Sequence, residues 1–227
     1  MGRNINSERK RWFVLIRIDS KKPKSELIKS VARMLDIGEL AILKTDTIYG
    51  ICAKALSEAG VTRLFSAKMR QETKPVGVFV RTFQELKQHC FIDKKYYKFL
   101  DTIWPGPITC VLPRLKKSSL KITPTKEQPK TVAVRIPDNK IILSLIRELK
   151  APLIQSSVNV TGQPRMQYSD IIKSYNRFAD VMLDSGSEEH DEPSTVISLV
   201  SNQVKLLRKG STSWDDIKTH SDMVHKF

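Results

Sequence analysis

Leu40-Ala41-Ile42-Leu43-Lys44-Thr45-Asp46-Thr47-Ile48-Tyr49-Gly50 joins four apolar residues to a polar turn that ends on a glycine. An apolar run this short, closed by turn residues, predicts a buried strand whose end lifts two hydroxyls and a carboxylate out of a sheet. Before it, Leu27, Ile28, Val31, Met34 and Leu35 recur at helical spacing from Ser25, and Gly38 stands where a helix C-cap belongs. After it, Val61, Leu64 and Phe65 mark a second amphipathic helix ending near Lys68 to Arg70. Helix, strand, turn and helix in succession are the signature of an α/β chain.

The alternation continues. Val76 to Val80 reads as strand; Thr82 with Glu85 forms a capping box; Tyr96 to Ile103 reads as helix until Trp104-Pro105-Gly106-Pro107 stops it. Thr109 to Leu112 and Thr131 to Ile136 are strands, and Arg114 to Lys130 between them, rich in Lys, Thr and Pro, is expected to be an exposed loop. Ile141, Ile142, Leu145, Ile146 and Leu149 form a helical stripe, Leu153 to Gln155 a short buried strand, and Ile171 to Phe178 a further helix. Val181 to Leu183, Thr195 to Val200 and Val204 to Leu207 complete the strands, the last two as a hairpin around Ser201-Asn202-Gln203. A hairpin and a Pro-rich middle inside an otherwise alternating chain predict a twisted sheet of mixed parallel and antiparallel strands with flanking helices.

At 227 residues the chain suits one domain, expected over residues 12–212, with a flexible basic arm at 1–11 and a tail at 213–227 that is either one short docked helix or frayed. Its 39 Lys plus Arg against 24 Asp plus Glu give a formal charge of +15, which suits polyanionic company such as nucleotides or RNA. Cys52, Cys90 and Cys110 are widely spaced, with neither a disulfide framework nor a zinc pattern, and fit a reducing cytoplasm. No apolar run reaches the ~20 residues of a membrane span, and no secretory or myristoylation signal opens the chain.

Five polar segments fall at the ends of predicted strands. Beyond the Thr45-Asp46-Thr47 turn, Lys68-Met69-Arg70 with Lys74-Pro75 supplies three cations, a mixture of forked and point charges suited to phosphate. Alternation along Thr131-Val132-Ala133-Val134-Arg135 puts Thr131 and Arg135 on one face. Ser156-Ser157-Val158-Asn159-Val160-Thr161-Gly162 offers hydroxyls and an amide without a partner base, which argues against a hydrolase, and Pro193-Ser194-Thr195-Val196 with Leu207-Arg208-Lys209-Gly210 closes the set. Each segment taken singly reads equally well as an N-cap, a dipole-compensating cation or an ordinary strand end. No metal-ligand cluster and no Walker or Rossmann glycine loop is present in the sequence.

In order and spacing these segments, with Trp104-Pro105-Gly106-Pro107-Ile108-Thr109, resemble the YrdC/Sua5 family, the L-threonylcarbamoyladenylate synthases, over about residues 25 to 210. The match is to Pro-Thr-(Asp/Glu)-Thr-x-(Tyr/Phe)-Gly, Lys-x-Arg followed by (Lys/Asn)-Pro, Val-(Ala/Gly)-Val-Arg-x-Pro, (Pro/Thr)-Ser-Ala-Asn-x-(Ser/Thr)-Gly and Arg-x-Gly. This chain departs at Lys44, where the family has Pro, at Phe79, where it often has His, and mildly at Ser156 and Val158.

The resemblance implies a YrdC-like sheet with a concave basic cavity, and a reaction joining L-threonine, bicarbonate or carbon dioxide, and ATP to give threonylcarbamoyl-adenylate and pyrophosphate. That product would feed the t6A37 modification of tRNAs reading codons that begin with A, through a downstream tRNA threonylcarbamoyl transferase complex. It implies Lys68 and Arg70 as catalytic cations; Thr47, Arg135, Ser157 and Ser194 as threonine-binding; and Lys68, Arg70, Lys74, Thr131, Asn159 and Arg208 as ATP-binding. No protein-ligated metal is expected, and any Mg2+ accompanies ATP. Two alternatives stay open at this point: a non-catalytic module on the same fold that holds double-stranded RNA or tRNA, and a paralogue with altered substrate.

Overall fold

The computed structural model describes residues 12–68, 76–158, 168–186 and 192–222. The expected arm at 1–11 and the segments 69–75 and 159–167, carrying Arg70, Lys74 and Asn159, lie outside the described residues. Ten strands among those described build a single sheet: β1 (Val14–Arg17), β2 (Ala41–Leu43), β3 (Gly50–Lys54), β4 (Gly77–Phe79), β5 (Ile108–Pro113), β6 (Thr131–Arg135), β7 (Leu153–Ser157), β8 (Val181–Asp184), β9 (Thr195–Ser198) and β10 (Lys205–Arg208). Their order is β1-β8-β2-β3-β7-β4-β6-β5-β9-β10. Parallel pairs (β1 with β8, β2 with β8, β4 with β6, β5 with β9) are interspersed with antiparallel ones, so the sheet is mixed.

The helices are α1 (Ser25–Asp36), α2 (Glu58–Lys68), α3 (Phe83–Leu86), α4 (Tyr97–Ile103), α5 (Lys140–Leu149), α6 (Tyr168–Tyr175) and α7 (Trp214–Asp222). Several start and stop where local chemistry dictates. Gly38 follows α1 with φ +89°, a conformation glycine tolerates best. Asn139 caps α5 by accepting from Ile142 N at 3.0 Å, a bond worth about 1 kcal/mol. Thr82 caps α3 by accepting from Glu85 N at 3.2 Å, while the Glu85 carboxylate reaches back to Arg81 N at 2.8 Å.

Two apolar cores lie on opposite faces of the sheet. The larger gathers Ile42, Ile51, Val78, Val132, Val134, Leu112 and Ile197 beneath α2, α4, α6 and α7. The smaller places Ala41, Leu43, Cys52, Phe79 and Leu153 under the paired helices α1 and α5. Those two helices cover only part of their face. Beyond them no described helix covers the sheet, and along β5, β6, β7 and β9 buried residues alternate with half-buried ones: Val132 and Val134 against Thr131 and Ala133, Ser156 against Gln155 and Ser157, Ile197 against Val196 and Ser198. The period of two in exposure is the direct mark of a sheet solvated on one side.

Three expectations from sequence are corrected. The strand Gly50–Lys54, central in the sheet, was hidden because Gly50, Cys52 and Ala53 carry little β-propensity; its place is set by pairing on both sides. The segment Arg114 to Lys130 is not simply an exposed loop: Leu120 and Ile122 are fully buried and Lys121 N donates to Ala55 O at 2.8 Å, so apolar residues two apart anchor it like a strand. The helix expected from Ile171 begins at Tyr168. The tail resolves in favour of a docked helix, α7, whose Ile217 is buried against the larger core. No helix among the described residues is long and apolar enough to cross a membrane.

Candidate functional site

The turn after β2 is locked by its own hydroxyls. Thr45 Oγ1 donates to Ile48 O at 2.7 Å and accepts from Thr47 N at 3.0 Å, and the two threonine hydroxyls lie 2.9 Å apart. A hydroxyl has one proton, and that of Thr45 is committed to Ile48, so the Thr47 hydroxyl is the donor between the pair. Arg135 Nη1 then donates to Thr47 Oγ1 at 3.1 Å. With its proton spent and one lone pair used, Thr47 can offer a ligand only its remaining lone pair. A group placed against that lone pair has to be a donor, such as an amine or a hydroxyl, and not a carboxylate.

Arg135 is 3% exposed and sits at the end of β6. Its Nη2 forms a salt bridge with Asp46, whose other oxygen accepts from Asp138 N at 3.0 Å. Its guanidinium lies 5.3 Å from the centroid of the Phe79 ring, the position where the YrdC/Sua5 pattern often has His; here an aromatic face supports the cation. Burial pulls the Arg135 pKa down and Asp46 opposes that fall, while the neighbouring Arg208 adds to it.

Arg208 in turn donates from Nη2 to Ser194 O at 2.8 Å and to Ser194 Oγ at 3.3 Å. Ser194 Oγ also lies 2.8 Å from Oγ1 of Thr109, the second residue of β5, behind the Trp104-Pro105-Gly106-Pro107 turn. Gly210 makes this corner possible, because a Cβ there would come 2.2 Å from Pro193 O and 2.5 Å from the carbonyl carbon of Ser194. Thr47 and Arg135 thus form one hydrogen-bonded group and Arg208, Ser194 and Thr109 another, drawn from five separate stretches of sequence.

Of the other expected residues, Ser157 and Thr131 share the face of Arg135, while Lys68 belongs to α2, which packs over the larger core on the opposite face. Ser157 pairs with Gly50 across β7 and β3, on the open face and three residues past Thr47. Thr131 shares that face with Arg135 but lies four residues back along β6, about 13 Å away. That separation suits the two ends of one elongated ligand. Lys68, on the last turn of α2, donates to Tyr175 Oη at 3.0 Å and lies 5.5 Å from that ring's centroid, so α6 holds its ammonium. Arg70, Lys74 and Asn159 fall outside the described residues.

Lys44 replaces a proline without opening the turn. Its side chain is buried, its Nζ lies 3.5 Å from Gly186 O, and its own carbonyl accepts from Asn139 Nδ2 at 3.2 Å. Tyr49 Oη donates to the same Gly186 carbonyl at 3.2 Å, tying the turn to the segment after β8. A cleft of about 310 Å³ runs beside the turn, bordered by Lys21, Lys44, Asp46, Thr47 and Asn139. Sequence reading missed Gln155, Gly186 and Tyr175; for Gln155 the signal was present, since period-two alternation puts it on the face of Ser157.

A family model described as telomere recombination, of the Sua5/YciO/YrdC type, matches residues 33–210. The chain belongs to the Sua5/YciO/YrdC family. Among relatives in that family, one from Methanocaldococcus jannaschii is 32% identical over 175 residues, which is 76% of this chain and 80% of its own length. A Pyrococcus abyssi relative named threonylcarbamoyl-AMP synthase is 31% identical across 84% of this chain. The matched region spans 56% of that longer protein. The crystal structure of P. abyssi Sua5 complexed with L-threonine superimposes with a TM-score of 0.81 at 28% identity, covering 92% of this chain and 60% of that one.

Proposed function

We propose that this chain is a threonylcarbamoyl-AMP synthase, a nucleotidyltransferase that forms L-threonylcarbamoyladenylate and pyrophosphate from L-threonine, bicarbonate or carbon dioxide, and ATP. The observation that carries the reading is the pairing of Arg135 with Thr47 on the one hand and of Arg208 with Ser194 and Thr109 on the other, hydroxyls and fixed cations brought together in pairs by the sheet. Relatives carrying the synthase name, and a threonine-bound neighbour of the same fold, support it.

The threonine amine adds to carbon dioxide, losing a proton, and gives a carbamate. A carbamate oxygen attacks the α-phosphorus of ATP, the bond to the β-phosphate bridging oxygen breaks, and pyrophosphate leaves. Thr47 accepts a hydrogen bond from the amino acid, with Arg135 fixing Thr47 in place and Ser194 and Ser157 completing the grip. Lys68, Arg70 and Lys74 neutralise the triphosphate, Thr131 and Asn159 hold the nucleotide, and Arg208 adds positive charge where the two substrates meet. Magnesium enters as part of the ATP substrate. None of these side chains forms a covalent intermediate; alignment and charge stabilisation carry the rate. The product serves a tRNA-modifying transferase in the cytoplasm, and the excess of basic residues favours contact with tRNA.

The deciding experiment mixes purified protein with magnesium, ATP, bicarbonate and threonine and follows the adenylate by mass spectrometry, with serine as control. Threonine-dependent appearance of threonylcarbamoyl-adenylate is expected. Tight tRNA binding with no adenylate under any substrate combination would instead make the chain a binding module.

A further inference from the structure

Gln155 lies on β7, half-buried on the face that α1 and α5 only partly cover. On β7 it pairs with Cys52 of β3 on one side and Gly77 of β4 on the other. Its side chain extends toward two glycines: a Cβ at Gly77 would sit 2.8 Å from Nε2, and one at Gly50 would sit 3.3 Å from Oε1. Between them the chain leaves a slot one carboxamide wide. Among the described residues the carboxamide finds no hydrogen-bond partner, although it could donate two bonds and accept two.

The neighbours of this slot come from three separate segments. Gly50 closes the turn that carries Thr47, Gly77 opens the strand that leads out of the Lys68 to Pro75 segment, and Ser157 is the next residue on the same face of β7. Gly50 brings the Thr47 turn to one side of the slot, and Arg135, which holds Thr47, stands on the same face of β6 two residues past Ala133, the partner of Gly77. On the reading given above, which this inference rests on, the group formed there is a carbamate, with an N–H and a carboxylate oxygen on one edge.

We infer that Gln155 is a catalytic residue that orients the carbamate, its Oε1 accepting the carbamate N–H while its Nε2 donates to the oxygen that does not attack. A primary amide matches that edge with two parallel bonds, as Arg matches a carboxylate, but carries no charge. Neutrality matters chemically, because a cation on the carbamate would blunt the nucleophilicity of the attacking oxygen. The amide aligns the nucleophile without quenching it.

The test is steady-state synthesis of threonylcarbamoyl-adenylate with bicarbonate varied, together with binary binding of ATP and of threonine by calorimetry. Gln155→Ala should raise the bicarbonate KM or lower kcat about tenfold, the scale of one lost neutral hydrogen bond, while leaving both binary affinities within twofold. Gln155→Glu should be about 100-fold worse, since it adds a negative charge beside the carbamate and the α-phosphate. Gly77→Ala, whose Cβ displaces the carboxamide, should reproduce the alanine phenotype with the glutamine still present. Wild-type bicarbonate kinetics in Gln155→Ala and Gln155→Glu, with the wild-type protein active, would overturn the inference alone. Equal loss of binary threonine or ATP affinity would also overturn it, by making Gln155 a ground-state contact. A wild-type protein that makes no adenylate would overturn the proposed function and this role together.

Discussion

Arg135 Nη1 donates to Thr47 Oγ1 at 3.1 Å, joining the end of a central strand to a turn 88 positions earlier. The same guanidinium holds Asp46, so one buried cation sets the shape of the whole turn. Replacing it by Met keeps the bulk over Phe79 but leaves Asp46 without its ion partner. Removing one member of a buried pair costs about 3–5 kcal/mol, so Arg135→Met should lower the melting temperature clearly and abolish threonine-dependent pyrophosphate release. Arg135→Lys should recover part of the stability and little of the activity, because a point charge cannot reach Asp46 and Thr47 together. An Arg135→Met protein that melts with wild type would refute the clamp.

Thr47 has a lone pair left and no proton. Thr47→Ser should therefore keep the threonine KM within about threefold, and Thr47→Val should raise it about tenfold with ATP binding unchanged, the scale of one hydrogen bond. Initial rates across a threonine series decide the point. Equal KM values for the Ser and Val variants would show that the hydroxyl is not a ligand contact.

Gly210 gives Ser194 its position. A methyl there would have to displace the backbone of Pro193 and Ser194, not a flexible side chain. Gly210→Ala should cost about 1–3 kcal/mol of stability and weaken threonine binding, by breaking the contact between Ser194 and Thr109, without changing binary ATP affinity. Calorimetry of the two ligands separates these effects, and an unchanged threonine affinity would remove Ser194 from the amino-acid end of the site.

His89 is buried with its Nδ1 3.3 Å from Ser118 Oγ, and its pKa is pushed below the ordinary 6.5 by burial first and by Arg114 second, with Glu85 opposing. Below about pH 6.5 the unfolded chain takes up this proton while the folded one resists it, so His89 favours folding above that value and its contribution is lost as pH falls through the depressed folded pKa. Urea melts between about pH 7 and 5 should show stability falling with acid, and His89→Gln should flatten that fall. A slope identical in the two proteins would exclude His89 as its source.

Much of the fold was legible because burial and period agree locally. Leu40 to Leu43, the stripe from Ile141 to Leu149 and the Thr82-Glu85 cap each sit where their pattern places them. Gly50–Lys54 was not legible: its small residues say little by themselves, and two neighbouring strands make it a strand. Leu120 and Ile122 were lost in polar surroundings for a similar reason, since only the surface they cover explains their burial.

The site divides along the same line. By itself the sequence determined which groups are available, namely hydroxyls, amides and cations at strand ends, because strand alternation and turn chemistry are short-range properties of the chain. Tertiary structure alone decided which of them meet. Sheet order put Arg135 against Thr47 and Arg208 against Ser194, used up the Thr47 proton, and stood Gln155 in a slot between two glycines from other strands. Those relations depend on strand pairing between distant segments, whose register is fixed by burial across the whole sheet, and no local window of sequence contains it.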